Sequence, residues 1–137
     1  MGITAEEIMT EDVTTVHEST SLGAALEIMQ ELNIRHLPVV RGRHLVGMLS
    51  DRDLRALGIR LVVDIESLER LEARMTATVA SVMSASLLTV NRVTEVSEIV
   101  DLFLTEHVGA VPVVHAGELV GIVSYVDVLR AMQDAFA

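Results

Sequence analysis

The chain has no cysteine, no lysine and no tryptophan, and only two prolines. Without cysteine there are no disulfides, no zinc–thiolate centres and no thiol nucleophile. Aromatic residues are nearly missing: Phe103, Tyr125 and Phe136 are the whole set. The core must then be aliphatic, and the aromatic stacking platforms that grip single-stranded nucleic acid are not available. A formal charge of −10 opposes binding to a phosphate backbone, so no nucleic-acid partner is expected. No apolar run approaches the length of a membrane span and no apolar signal stretch opens the chain, so the expectation is a soluble cytoplasmic protein without membrane contact. At 137 residues, half of them apolar, the chain can bury one compact core or two small lobes.

The few cations are unevenly placed. Six of the ten arginines fall between Arg35 and Arg60. Such a cluster on an acidic chain suits a small anion better than a polymer. It is equally what a solvated face coded by an arginine-rich codon bias would give, and charge alone does not choose.

What the sequence does contain is a duplication. The stretch G-M-L-S-D-R-D, Gly47 to Asp53, returns as G-I-V-S-Y-V-D, Gly121 to Asp127, a shift of 74 positions. The same shift superposes Pro38-Val39-Val40 on Pro112-Val113-Val114, Leu45-Val46 on Leu119-Val120, Thr15-Val16 on Thr89-Val90 and Met9 on Met83. No gap is needed between residues 8 and 55, and a register held that long marks an internal repeat.

Each copy reads as helix, strand, helix, strand, strand, helix. Thr4 and Glu7 form a capping-box pattern opening a short helix that carries Ile8 and Met9. Val13 to Val16 is β-branched and extended. Leu22, Ala25, Leu26, Met29 and Leu32 recur at helical spacing, with Asn33 as terminator. His36 to Val40 and Leu45 to Leu49 form a hairpin around Arg41-Gly42-Arg43, with Pro38 expected at a strand start or an unpaired edge. Asp51 to Leu57 continues as a helix. In the second copy the helical stripe is Val96, Ile99, Val100 and Phe103. The hairpin strands are Ala110 to Val114 and Leu119 to Val123, around Ala116-Gly117, and Val126 to Phe136 closes the copy. Between the copies, roughly Gly58 to Ala80, Asp64 is a candidate cap for a helix bearing Ile65, Leu68, Leu71 and Met75. That helix either packs over the core or offers a partner interface.

The repeated turn has two readings. Ser followed three residues later by Asp is itself a capping box, which satisfies free amides at a helix start. The same geometry suits a nucleotide: free amides and the helix field favour phosphate, and a carboxylate accepts from both hydroxyls of a ribose. Glycine three positions before the serine would leave room for the ligand. Both copies keep Gly, Ser and Asp while Met48, Asp51 and Arg52 are exchanged for Ile122, Tyr125 and Val126, and this selective retention favours ligand binding. The five histidines are scattered and no metal site is expected. Met29, Met48 and Met75 occupy apolar positions that core filling explains.

With its short I-M-T or V-M-S element, its X-P-V-V strand and its G-x-x-S-x-x-D turn, all duplicated, the chain resembles a tandem pair of CBS (cystathionine β-synthase) domains from Ile3 to about Met132. The resemblance implies an α+β fold of two β-α-β-β-α repeats about a pseudo-two-fold axis, sheets packed together and helices outside. The division would be residues 1–57 for the first repeat, 58–80 for a linker and 81–137 for the second. It further implies a non-catalytic sensor, linked to energy state, binding adenosine compounds (AMP, ADP, ATP or S-adenosylmethionine) in two clefts. Ser50 and Asp53 would share one cleft with Leu88, Val108, Gly109 and Ala110. Ser124 and Asp127 would share the other with Thr14, Ile34, Arg35 and His36, and Thr10 would lie near the base. Arg35 matches a phosphate-binding position whose counterpart is Gly109, and His36 is replaced by Ala110, so one site should be stronger. A flat homodimer, no required cofactor and an effector protein acting in trans complete the expectation. Two other classes stay open: a ligand-free dimerisation scaffold whose Ser and Asp serve only as caps, and an enzyme acting on a nucleotide, for which no base or metal site is evident.

Overall fold

The computed structural model describes residues 2–56, 72–73, 75–85 and 87–136. The chain divides into two compact units, and the division is not the one between sequence repeats. One unit is contiguous, Thr14–Leu87; the other joins Met1–Val13 to Leu88–Ala137.

In the contiguous unit, α2 (Leu22–Leu32) starts at Ser21, whose side chain accepts from the Ala24 amide at 3.2 Å. It ends at Asn33 in the left-handed conformation, φ 52°, which a short polar side chain tolerates. Leu22, Ala25 and Met29 face inward as the spacing predicts, but Leu32 is exposed and lies outside the core. The first strand, β1, is only Val16–His17, shorter than the β-branched run suggests, and pairs parallel to β2 (His36–Arg41) through Val16 and Val39. β2 pairs antiparallel with β3 (His44–Ser50). α3 (Asp51–Ala56) follows without a break, and a 3-10 turn covers Val79–Ser81. Val16, Leu22, Ala25, Met29, Leu37, Val39, Leu49, Leu54 and Val79 make one aliphatic core.

The discontinuous unit repeats this plan. α1 (Ala5–Ile8) carries the expected capping box at Thr4 and Glu7, and Met9 falls just past its end. α4 (Val96–Glu106) ends at His107, φ 54°, the counterpart of Asn33. β4 (Ala110–His115) and β5 (Glu118–Ser124) form the hairpin, and α5 (Tyr125–Ala135) closes the unit. Val90 bridges in parallel to Val113 as Val16 does to Val39. Both hairpins also shift register at the same place, Val39/Val40 and Val113/Val114. Ala5, Val90, Ile99, Val111, Val113, Val123 and Val128 form the core.

Pro38 does not lie at a strand start. It pairs with Met48 in the interior of β2. Met48 turns its own N–H and C=O to Ser84, at 3.0 and 2.9 Å, so Pro38–Met48 is a non-hydrogen-bonded pair and the missing proline donor costs the hairpin nothing. Pro112 is accommodated alike: its partner Ile122 exchanges both bonds with Thr10, at 2.9 and 3.0 Å. Each hairpin is thus flanked by the short element that opens the other sequence copy. As for the inter-repeat helix, most of its stripe (Ile65, Leu68 and Leu71) lies outside the described residues, while Met75 packs against the contiguous unit's core.

Candidate functional site

Each G-x-x-S-x-x-D turn stands where a hairpin strand runs into a helix. In the contiguous unit the Ser50 amide donates to Asp53 Oδ2 at 2.8 Å, and the Asp53 amide donates to Ser50 Oγ at 3.2 Å. In the discontinuous unit the Ser124 amide donates to Asp127 Oδ2 at 2.8 Å, Ser124 Oγ adds a second bond at 3.1 Å, and the Asp127 amide returns to Ser124 Oγ at 3.4 Å. Both turns are therefore reciprocal helix caps, as the Ser-x-x-Asp spacing allows.

The glycines serve a different purpose from the one the motif suggests. A Cβ on Gly47 would fall on the Met83 side chain, 2.8 Å from its Cγ; one on Gly121 would fall 2.9 Å from Met9 Cγ and 3.1 Å from the Thr10 carbonyl. The vacated space holds a methionine from the short element, a knob in a hole, rather than room for a ligand.

Around the first turn the structure gathers Arg35, His36, Ser50 and Asp53. His36 pairs with Ser50 across the hairpin, and the Asp51 amide donates to the Arg35 carbonyl at 2.9 Å. Arg35 itself is exposed. Burial lowers the His36 pKa from its ordinary 6.5; Asp53 and Asp51 work against this, while Arg35 and Arg52 reinforce it. His36 is accordingly a neutral imidazole at pH 7.

Around the second turn stand Gly109, Ala110, Ser124, Asp127 and Thr10. Ala110 pairs with Ser124, the Tyr125 amide donates to the Gly109 carbonyl at 3.1 Å, and Thr10 Oγ1 donates to Asp127 Oδ1 at 3.4 Å. Ile34 and Val108 are half-buried against the cores of their own units. Thr14 is exposed and Leu88 half-buried. Ser84 escaped the sequence reading although the repeat shift maps it onto Thr10; it lies beside Met48, two residues before Ser50, as Thr10 lies beside Ile122. Among the described residues no group of three or more His, Asp or Glu could hold a metal ion. No helix there is long and apolar enough to cross a membrane.

Comparison with known proteins agrees with this architecture. The pattern of the CBS domain matches residues 5–60 and again 79–134. A CBS domain-containing protein of Dictyostelium discoideum is 30% identical over 131 residues, covering 94% of this chain and 90% of that protein. Hypoxic response protein 1 of Mycobacterium tuberculosis is 32% identical over 132 residues, covering 96% and 86%. Among solved structures, CBSX2 of Arabidopsis thaliana, crystallised in complex with AMP, superposes with a TM-score of 0.84 at 32% identity, covering 99% of this chain and 100% of that one. With the duplicated register, hairpins and turns seen above, the chain belongs to the CBS domain family as a tandem pair.

Proposed function

We propose that this protein is a non-catalytic regulatory module that binds an adenosine nucleotide of the AMP, ADP or ATP class at its Ser50–Asp53 and Ser124–Asp127 turns. The observation that carries the reading is the AMP complex of CBSX2, a protein of the same fold and extent at 32% identity. The chemistry on this chain suits such a ligand. Each turn presents a half-buried carboxylate with acceptor capacity beyond its cap bonds, suited to ribose hydroxyls. Arg35, exposed and with no counterpart cation at Gly109, is the residue we assign to phosphate, which makes the two sites unequal.

Signalling follows by linkage: a ligand that binds one arrangement of the protein better shifts its population towards that arrangement, and an effector protein in trans reads the shift. A homodimer is part of this reading. It is supported by α5, where Tyr125, Leu129 and Met132 recur along one face and are exposed, with the exposed Phe136 at its C-cap.

Thermal unfolding with millimolar AMP, ADP, ATP, S-adenosylmethionine or NAD tests the proposal. At a hundredfold excess over Kd a bound ligand adds about 2.7 kcal/mol, a shift of several degrees. The shift should shrink in Asp53→Ala and in Asp127→Ala. No shift with any compound would favour the ligand-free scaffold, a reading that the reciprocal caps themselves support. Asp127→Glu separates the two: a cap tolerates the longer side chain, whereas a ribose clamp of fixed reach does not.

A further inference from the structure

The two turns differ in how much of their carboxylate is already engaged. A carboxylate offers about four acceptor positions. Asp53 gives one, on Oδ2, to the Ser50 amide. Asp127 gives two on Oδ2, to the Ser124 amide and hydroxyl, and a third on Oδ1 to Thr10. A vicinal diol needs two positions. Asp53 can supply them as it stands; Asp127 has about one left and must release a donor.

Thr10 is the donor placed to yield. Its bond to Asp127 is 3.4 Å, against 2.8 and 3.1 Å for the two from Ser124. Yet its position is not accidental. The Thr10 backbone is held to Ile122 by paired bonds of 2.9 and 3.0 Å, and Met9 fills the space over Gly121. Being β-branched, the threonine side chain has few rotamers in which to turn its hydroxyl elsewhere. Ser84 is held to Met48 in the same way, but its freer hydroxyl makes no hydrogen bond to Asp53.

We infer that Thr10 is an internal competitor for the diol at the Asp127 turn, occupying an acceptor position that a ribose hydroxyl must take, and that Ser84 imposes no such competition at Asp53. The inference rests on the nucleotide reading above and adds a determinant of the inequality between the sites. It also has a chemical signature. A 2′-deoxynucleotide presents one hydroxyl and can use the remaining position without displacing Thr10, so the competition falls on the ribonucleotide alone.

Isothermal titration with AMP and 2′-deoxy-AMP on single-turn backgrounds tests this. In Asp53→Ala, where the Asp127 turn remains, adding Thr10→Val should tighten AMP roughly three- to tenfold, the worth of one hydrogen bond, and leave 2′-deoxy-AMP nearly unchanged. Thr10→Ser should fall between parent and Thr10→Val. In Asp127→Ala, Thr10→Val should change nothing, while Ser84→Thr should weaken AMP by a similar factor. Unchanged or weaker AMP binding in Asp53→Ala/Thr10→Val, at an unaltered melting temperature, overturns the inference and leaves the nucleotide reading standing. So does an equal effect on the deoxynucleotide. Failure of the parent protein to bind either compound removes both.

Discussion

The two compact units answer the same geometric problem with different side chains. Where the contiguous unit buries Leu22, Leu37, Leu49 and Leu54, the discontinuous one has Val96, Val111, Val123 and Val128, each a methylene smaller. Ala25 and Met29 are matched in turn by the larger Ile99 and Phe103. Strand pairing, bulge, left-handed helix ends and flanking bridges coincide at a constant shift. Backbone register is what the two units share, and volume is redistributed within it, as cores tolerate when total filling is kept. The surroundings of the turns are where they diverge: the cation at Arg35 and the half-buried His36 belong to one unit, the engaged carboxylate of Asp127 to the other.

The comparison can be broken most sharply at Ile99. It is fully buried and carries the filling that Ala25 does not, so Ile99→Ala should cost about 2–5 kcal/mol, whereas Ala25→Gly, on the opposite side of the comparison, should cost much less. Urea unfolding of both variants checks this; equal losses would mean that the two cores are not filled in the way described.

The knob-and-hole contacts come next. Gly121→Ala should lose about 1–3 kcal/mol, because the new methyl meets both Met9 and the Thr10 backbone carbonyl. The three atoms nearest a Cβ on Gly47 all belong to the flexible Met83 side chain, so Gly47→Ala should lose less. A reversed order in their melting temperatures would refute the role given to the Thr10 carbonyl.

A smaller effect separates the hairpin loops. The first loop needs a positive φ only at Gly42, where glycine supplies it; the second needs it at Ala116, φ 51°, as well as at Gly117. Ala116→Gly should therefore stabilise the protein by up to about 1 kcal/mol, and Ala116→Asn somewhat less, visible as a raised denaturant midpoint. The corresponding gain is not available in the first loop.

The smallest expected effect is that of His36, whose counterpart is Ala110. Its folded pKa lies below the unfolded value near 6.5, so the unfolded chain takes up the proton first as pH falls. Stability is complete above that value and declines below it. His36→Ala should flatten the decline below about pH 6.5 in a series of thermal melts. A parent protein as stable at pH 5 as at pH 7 would contradict the burial assigned to this ring.

Much of this was legible in the sequence, because it rests on local signals. The repeat shift, the two helical stripes, the hairpins and the capping boxes are written in residues a few positions apart. What was not legible depends on distant chain. Nothing near Gly47 or Gly121 says that a methionine far along the sequence occupies the missing Cβ position, so a close ligand approach was the natural reading. Pro38 looked like an edge residue because its tolerance depends on Met48 bonding to Ser84. Ser84 itself was within reach, since the repeat places it on Thr10. Leu32 fits the helical stripe but sits in the last turn, where the helix has already left the core.

The exchange of the short elements also governs the order in which the chain can be completed. The unit Thr14–Leu87 is contiguous, whereas the other must bring Met9 and Thr10 to Gly121 and Ile122 across the whole intervening stretch. Closing so long a loop is entropically late, so the contiguous unit is expected to form first and the discontinuous one to be sealed last by the amino-terminal segment. A circular permutant opening between Val13 and Thr14, with its former ends joined by a flexible linker, would make both units contiguous. Stopped-flow refolding of that permutant should be faster than that of the parent, and an unchanged rate would place the slow step elsewhere.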